Sequence, residues 1–158
     1  MRIVSPGHEE QGGPIAEAFL TRIDAPNEIK ERVVPLVVHH LAHLQAITDR
    51  SVRRLANFLK PATIEQLCLV MTADHFGRPP KPRVIHPAIL ELRAKAEELR
   101  LREAAPKPIL QGRHLIERGM QPGVAFGALL AEAFEAQLEG KFTDLGGALK
   151  WLDERPAK

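Results

Sequence analysis

Residues 63–77 read Thr-Ile-Glu-Gln-Leu-Cys-Leu-Val-Met-Thr-Ala-Asp-His-Phe-Gly, and this stretch decides the fold class. Ile64, Leu67, Cys68 and Met71 recur at spacings of three and four, the period that lines one face of an α-helix. Thr63 and Gln66 make a capping-box pair at its start, and Gly77 is a natural stop. Asp74 falls three positions after Met71, on the same inner face. A carboxylate there has to be paired, metal-bound or engaged at the helix end, because an isolated buried charge is costly.

The same period continues on both sides. Towards the N-terminus, Asp49 or Ser51 can cap a helix with Val52, Leu55 and Leu59 inward, and Pro61 ends it. Before that, the spacing predicts a helix over roughly 28–45 with Ile29, Val33, Leu36, Val37, Leu41 and Leu44 as its stripe. Asn27 is its cap, and Pro35 should kink it. A first helix is predicted over roughly 8–24, with Ile15, Phe19, Leu20 and Ile23 on one face. Gly12-Gly13-Pro14 sits near its start.

Towards the C-terminus, Arg78-Pro79-Pro80-Lys81-Pro82-Arg83 breaks the helical pattern, because three prolines within four positions favour extended polyproline geometry. A charged helix then runs from near Pro87 to about Ala104 and is ended by Pro106 and Pro108. Shorter helices are expected near 112–118, over 122–138, and from Thr143 through Trp151 and Leu152. No stretch alternates in the way of a strand. The expectation is an all-α helical bundle of about seven or eight helices in two lobes, 1–78 and 79–158, divided near Arg78–Arg83.

Composition narrows the function. The 158 residues are 44% hydrophobic and 27% charged, the balance of an ordinary globular domain. No apolar run approaches the ~20 residues that span a bilayer. The opening MRIVSPGHEEQGG lacks the apolar core of a signal peptide, and a single cysteine, Cys68, leaves no internal disulfide. A reducing, cytoplasmic location is expected. Net charge is only +2, but residues 78–118 hold 10 Lys/Arg against 5 Asp/Glu. That basic band attracts phosphate or, on the plainer reading, solvates a helix face and pairs with Glu97, Glu98 and Glu103. With seven aromatic residues in all, sequence-specific stacking of single-stranded bases is not expected.

Histidine is the other unusual feature. His39, His40 and His43 fall within five positions. On a continuous helix His40 lies inside the apolar stripe and His39 and His43 lie to one side of it. The i,i+4 pair His39/His43 could share a metal, although the residues between them lack the Glu of a metalloprotease helix. His40 could instead face polar groups from other helices, or simply be a buried histidine bonded to a carbonyl. His8, His40 and Asp74, on three helices, could converge on one cation. Phosphate-binding loops and nucleophile elbows are absent, and Cys68 sits at a packing position.

Taken in order, Gly7-His8-Glu9-Glu10-Gln11-Gly12, Ala25-Pro26-Asn27-Glu28-Ile29, Leu36-Val37-Val38-His39-His40 and Thr72-Ala73-Asp74-His75-Phe76-Gly77-Arg78 resemble the later part of the HD domain of bacterial CCA-adding tRNA nucleotidyltransferases of the poly(A)-polymerase-like family. Leu110-Gln111-Gly112-Arg113-His114-Leu115, Gly119-Met120-Gln121-Pro122-Gly123, Ala136-Gln137-Leu138-Glu139-Gly140 and Ala148-Leu149-Lys150-Trp151-Leu152 resemble that family's C-terminal segment. The resemblance implies a partial HD-type domain over 1–78, followed by a C-terminal helical segment with a basic linker. The family's nucleotidyltransferase head and its His-Asp dyad have no counterpart in these residues.

The resemblance further implies an enzyme that adds C and A to a tRNA 3′ end, with this portion engaging tRNA and not adding nucleotides alone. It implies His8, His40 and Asp74 as partial ligands for a divalent metal, Mg or Mn in the intact family. Phosphate contacts are expected from Arg78, Lys81, Arg83, Arg100, Arg102 and Arg113, and no membrane partner is expected. Two alternatives are an HD-type metal phosphohydrolase completed by upstream residues, and a head-less helical interaction module.

Overall fold

The computed structural model describes residues 7–80 and 82–155. Among them are eight α-helices, one short 3-10 helix and no strand: α1 (His8–Arg22), α2 (Asn27–His39), the 3-10 turn Ala42–Leu44, α3 (Asp49–Phe58), α4 (Ile64–Phe76), α5 (Pro87–Glu98), α6 (Gly112–Glu117), α7 (Val124–Leu138) and α8 (Leu145–Asp153). The chain is all-α, as the three-and-four spacing requires. Lys81 lies outside the described residues.

Two compact units divide at Pro106/Lys107, not at the proline cluster. In the first unit, α3, α4 and α5 share one core built from Val52, Ala56, Leu59, Ile64, Leu67, Cys68, Met71, Ile89, Leu92 and Ala96. Ile89, Leu92 and Ala96 come from α5, so apolar burial holds this helix against α3 and α4 although prolines precede it. Burial pushes the Cys68 thiol up to about 11, which suits a packing residue and not a nucleophile.

Side chains fix the helix ends. Thr48, not Asp49 or Ser51, is the N-cap of α3: its Oγ1 accepts from the Ser51 N–H at 3.1 Å. Thr63 and Gln66 close the expected capping box on α4. His86 caps α5, its Nδ1 accepting from the Ala88 N–H at 3.2 Å. That helix stops at Glu98 and does not reach Ala104. The Leu101 N–H turns back to the Ala96 carbonyl, and Arg100 takes a positive φ of 57°.

The helices α1 and α2 pack along each other because Gly12 and Gly13 leave room. A Cβ on Gly12 would stand 2.9 Å from Val37, and one on Gly13 would stand 2.8 Å from Val38. Of the predicted α1 stripe only Leu20 is buried, while Ile15, Phe19 and Ile23 are exposed. The glycine face lies against α2, and three of the four large stripe residues stay exposed.

The second unit has its own small core of Leu110, Leu115, Ala133, Ala136, Phe142 and Ala148. Buried Gln137 ties the entering strand of chain to α7. Its Oε1 accepts from the Ile109 N–H, its Nε2 donates to the Lys107 carbonyl, and both bonds are 2.9 Å. Asp144, one residue after the expected start, caps α8 by accepting from the Gly147 N–H at 2.7 Å.

Candidate functional site

The predicted helix over 28–45 ends at His39. His40 is the reason: its Nδ1–H donates to the Val37 carbonyl at 2.6 Å, taking the acceptor that a continuing helix would offer to the Leu41 N–H. His39 and His43 therefore do not share a helix face. His39 ends α2 and stacks on Phe58, with ring centroids 5.8 Å apart and planes 16° apart. His43 sits in the 3-10 turn, buried, 5.5 Å from the His86 ring.

The close approach of α1 and α2 brings His8 to His40, their Nε2 atoms 3.2 Å apart. With the His40 Nδ1 proton committed to Val37, His40 Nε2 is the acceptor and His8 Nε2–H the donor. Two nitrogen ligands on a tetrahedral ion, each about 2.0–2.1 Å from it, stand about 3.3 Å apart, so the pair has metal-ligand spacing. The bond from His40 to a backbone carbonyl is also the outer contact that orients ligating imidazoles. To take a cation between them, His8 would have to carry its proton on Nδ1.

Asp74 is engaged elsewhere. The Arg78 guanidinium grips it through Nη2–Oδ2 at 2.5 Å and Nε–Oδ1 at 3.3 Å, one turn along α4. Among the described residues no group of three or more His, Cys, Asp or Glu is arranged to hold a metal ion. Of the three residues the sequence singled out, His8 and His40 meet, and Asp74 is paired with Arg78.

His43 is buried in the 3-10 turn. Its Nδ1 is buried with no hydrogen-bond partner. Burial, and next the neighbouring His86, push its pKa below the ordinary 6.5, while the nearby His40 backbone and then the Asp74 charge pull the other way. Burial likewise lowers His39.

The basic residues separate into two sets. Arg102 donates through Nε to Glu65 at 2.8 Å and reaches Glu97 at 3.3 Å. Arg93 closes on the other Glu65 oxygen, and these contacts hold the Glu65 carboxyl below its ordinary range. This network joins the start of α4 to α5 and the chain just after it. Arg78 is committed to Asp74, and Arg113 donates to the His114 ring at 3.2 Å. Arg83 and Arg100 are exposed. Glu65 and Arg93 carry no local signal, since the two lie 28 residues apart and neither belongs to a local motif. The His39–Phe58 stack was equally hidden.

The chain is 31% identical over 137 residues to a CC-adding tRNA nucleotidyltransferase of Thermus thermophilus, covering 85% of this chain and 30% of that protein. It is 26% identical over 157 residues to an A-adding tRNA nucleotidyltransferase of Deinococcus radiodurans, covering 95% of this chain and 36% of that protein. These similarities support a relationship to the tRNA nucleotidyltransferases. The chain spans about a third of the length of the curated relatives it matches. No family model and no solved structure matches it. Among the described residues, no helix is long and apolar enough to cross a membrane.

Proposed function

We propose that this chain is the tRNA-engaging portion of a CCA-adding-type nucleotidyltransferase, and that nucleotide addition depends on a head domain outside these residues. The observation that carries this reading is similarity over 85–95% of the chain to two enzymes named for adding C or A to tRNA. Both units lie within the matched length, so the resemblance is not confined to one motif. On this reading residues 1–78 are the later part of an HD-type domain, and the rest is the C-terminal helical segment.

The exposed guanidinium groups of Arg83 and Arg100, with Lys81, supply phosphate contacts that position tRNA without reading its bases. Arg102 and Arg78 serve that surface indirectly, by holding Glu65 and Asp74. The test is a filter-binding titration of tRNA at two or more salt concentrations. Wild type should lose affinity steeply as salt rises, because bound cations are released on phosphate contact. Lys81→Glu with Arg83→Glu should weaken binding and flatten the salt slope. Unchanged affinity and slope would leave the basic band as a solvated face.

A second reading, metal-dependent phosphoester hydrolysis, is favoured by the 3.2 Å His8–His40 pair. A divalent cation there would polarise a phosphoryl oxygen, and completion of the ligand set would need residues outside this chain. Equilibrium dialysis with Mn²⁺ and Mg²⁺ tests it, and loss of a bound ion in His40→Ala is the expected mark.

A further inference from the structure

The helix α1 lays its Gly12–Gly13 side against α2 and buries Leu20, while Ile15, Phe19 and Ile23 stay half or more exposed. These three recur at a spacing of four. Such a row is the ridge that interdigitates in the commonest class of helix–helix packing. Taking ~200 Å² for a fully exposed large side chain, the row offers roughly 350 Å² of apolar surface. Single exposed apolar residues need no partner, but one row of that size is large enough to mark an interaction face.

We propose that this face binds a second copy of the chain, as a two-fold, antiparallel pair of α1 helices that cross at Phe19. The row suits an isologous contact, in which one patch must complement itself. With Phe19 on the axis, Ile15 of each copy lies against Ile23 of the other. Charge does not oppose the pairing. Arg22 beside the row is drawn over the Phe19 ring, 5.5 Å from its centroid. In the pair the two Arg22 residues fall on opposite sides of the axis, ~9 Å apart along the helix, which is about one Debye length. A net charge of +2 per chain adds little repulsion between copies. Two copies remove roughly 700 Å² of apolar surface from water, and an interface about 65% apolar then totals roughly 1,100 Å². That lies at the lower end of what specific association needs, so the dimer is reversible and in the micromolar range, not permanent. The proposal does not depend on the tRNA-engaging reading.

The experiment is sedimentation equilibrium of the full chain from about 5 µM to about 500 µM, a range that brackets micromolar dissociation. Wild type should pass from monomer to dimer across it. Phe19→Asp sets two carboxylates against each other on the axis and should raise the dissociation constant more than about tenfold. Phe19 is exposed, so this variant should keep the helical circular dichroism of wild type. Val124→Asp, at an exposed apolar residue outside the row, should dimerise as wild type does. The register has its own test. Ile15→Asp with Ile23→Lys places opposite charges across the pair and should dimerise more tightly than Ile15→Asp with Ile23→Asp. A wild type that stays monomeric throughout overturns the proposal and leaves the face to another partner. A dimer that Phe19→Asp does not weaken, or that Val124→Asp weakens equally, overturns the assignment to α1. Equal dissociation of the two double variants overturns the antiparallel pairing.

Discussion

Two parts of the first unit have similar apolar periodicity and opposite fates. In α3–α5 the large residues go inside: Leu59, Ile64 and Leu67 are fully buried, and Ile89 and Leu92 nearly so. In α1–α2 only Leu20 of the large apolar residues is buried. Ile15 is 68% exposed, Phe19 50% and Ile23 54%, and α2 contains no buried residue. Where α1 meets α2, Gly12 and Gly13 lie against the side chains of Val37 and Val38. An apolar stripe identifies residues that burial would favour; whether another element arrives to cover them is settled by topology.

The largest expected effect lies in the first of these regions. Leu67→Ala should destabilise the chain by about 2–5 kcal/mol in denaturant melts, because the α3–α5 core is closed around it. Ile15→Ala on α1 should fall within about 0.5 kcal/mol of wild type. Equal effects would remove the distinction between the two regions.

The glycine contact gives the next effect. Gly13→Val should cost about 1–3 kcal/mol by forcing α1 away from Val38, with the His8–His40 contact weakened as well. Gly127 in α7 has nothing within 4 Å of an added Cβ, so Gly127→Ala should stabilise by about 0.5–1 kcal/mol through helix propensity. Thermal melts of the two variants should therefore move in opposite directions.

Acid provides a finer comparison. His43 has a lowered folded pKa, so the unfolded chain binds its proton more readily. Its contribution to stability is complete above the ordinary 6.5 and is lost as pH falls through the lowered folded value. Stability measured from pH 7.5 to 5 should decline in wild type and decline less in His43→Gln. The Glu65 carboxyl is also lowered, chiefly by its bond from Arg102. Its contribution is complete above the ordinary 4.5 and is lost further into acid, so Glu65→Gln should flatten the curve below that pH and leave the histidine limb in place.

The helices of α3–α5 were legible because their signals are local. The Thr63/Gln66 box, the Gly77 stop and the Ile64–Met71 spacing all lie within one or two turns. The end of α2 was not legible, since the His40 side chain competes with the backbone for the Val37 carbonyl and periodicity carries no trace of that. For the candidate site, local motifs supplied residues to look at and not their contacts. The family resemblance pointed to His8 and His40, which do meet, and to Asp74, which Arg78 holds.

By itself the sequence determined that this protein is helical, where most helices start and stop, which stretch is basic, and which family it resembles. Each follows from spacings of a few residues or from ordered short motifs. Tertiary structure alone decided that α5 joins the first unit, that Glu65 binds Arg93 and Arg102, that His43 is buried with an unpartnered nitrogen, and that Phe58 stacks on His39. Those outcomes depend on which helices meet. Packing and electrostatics act through distance in space, and residues 19 to 43 positions apart along the chain become neighbours only when the chain has folded.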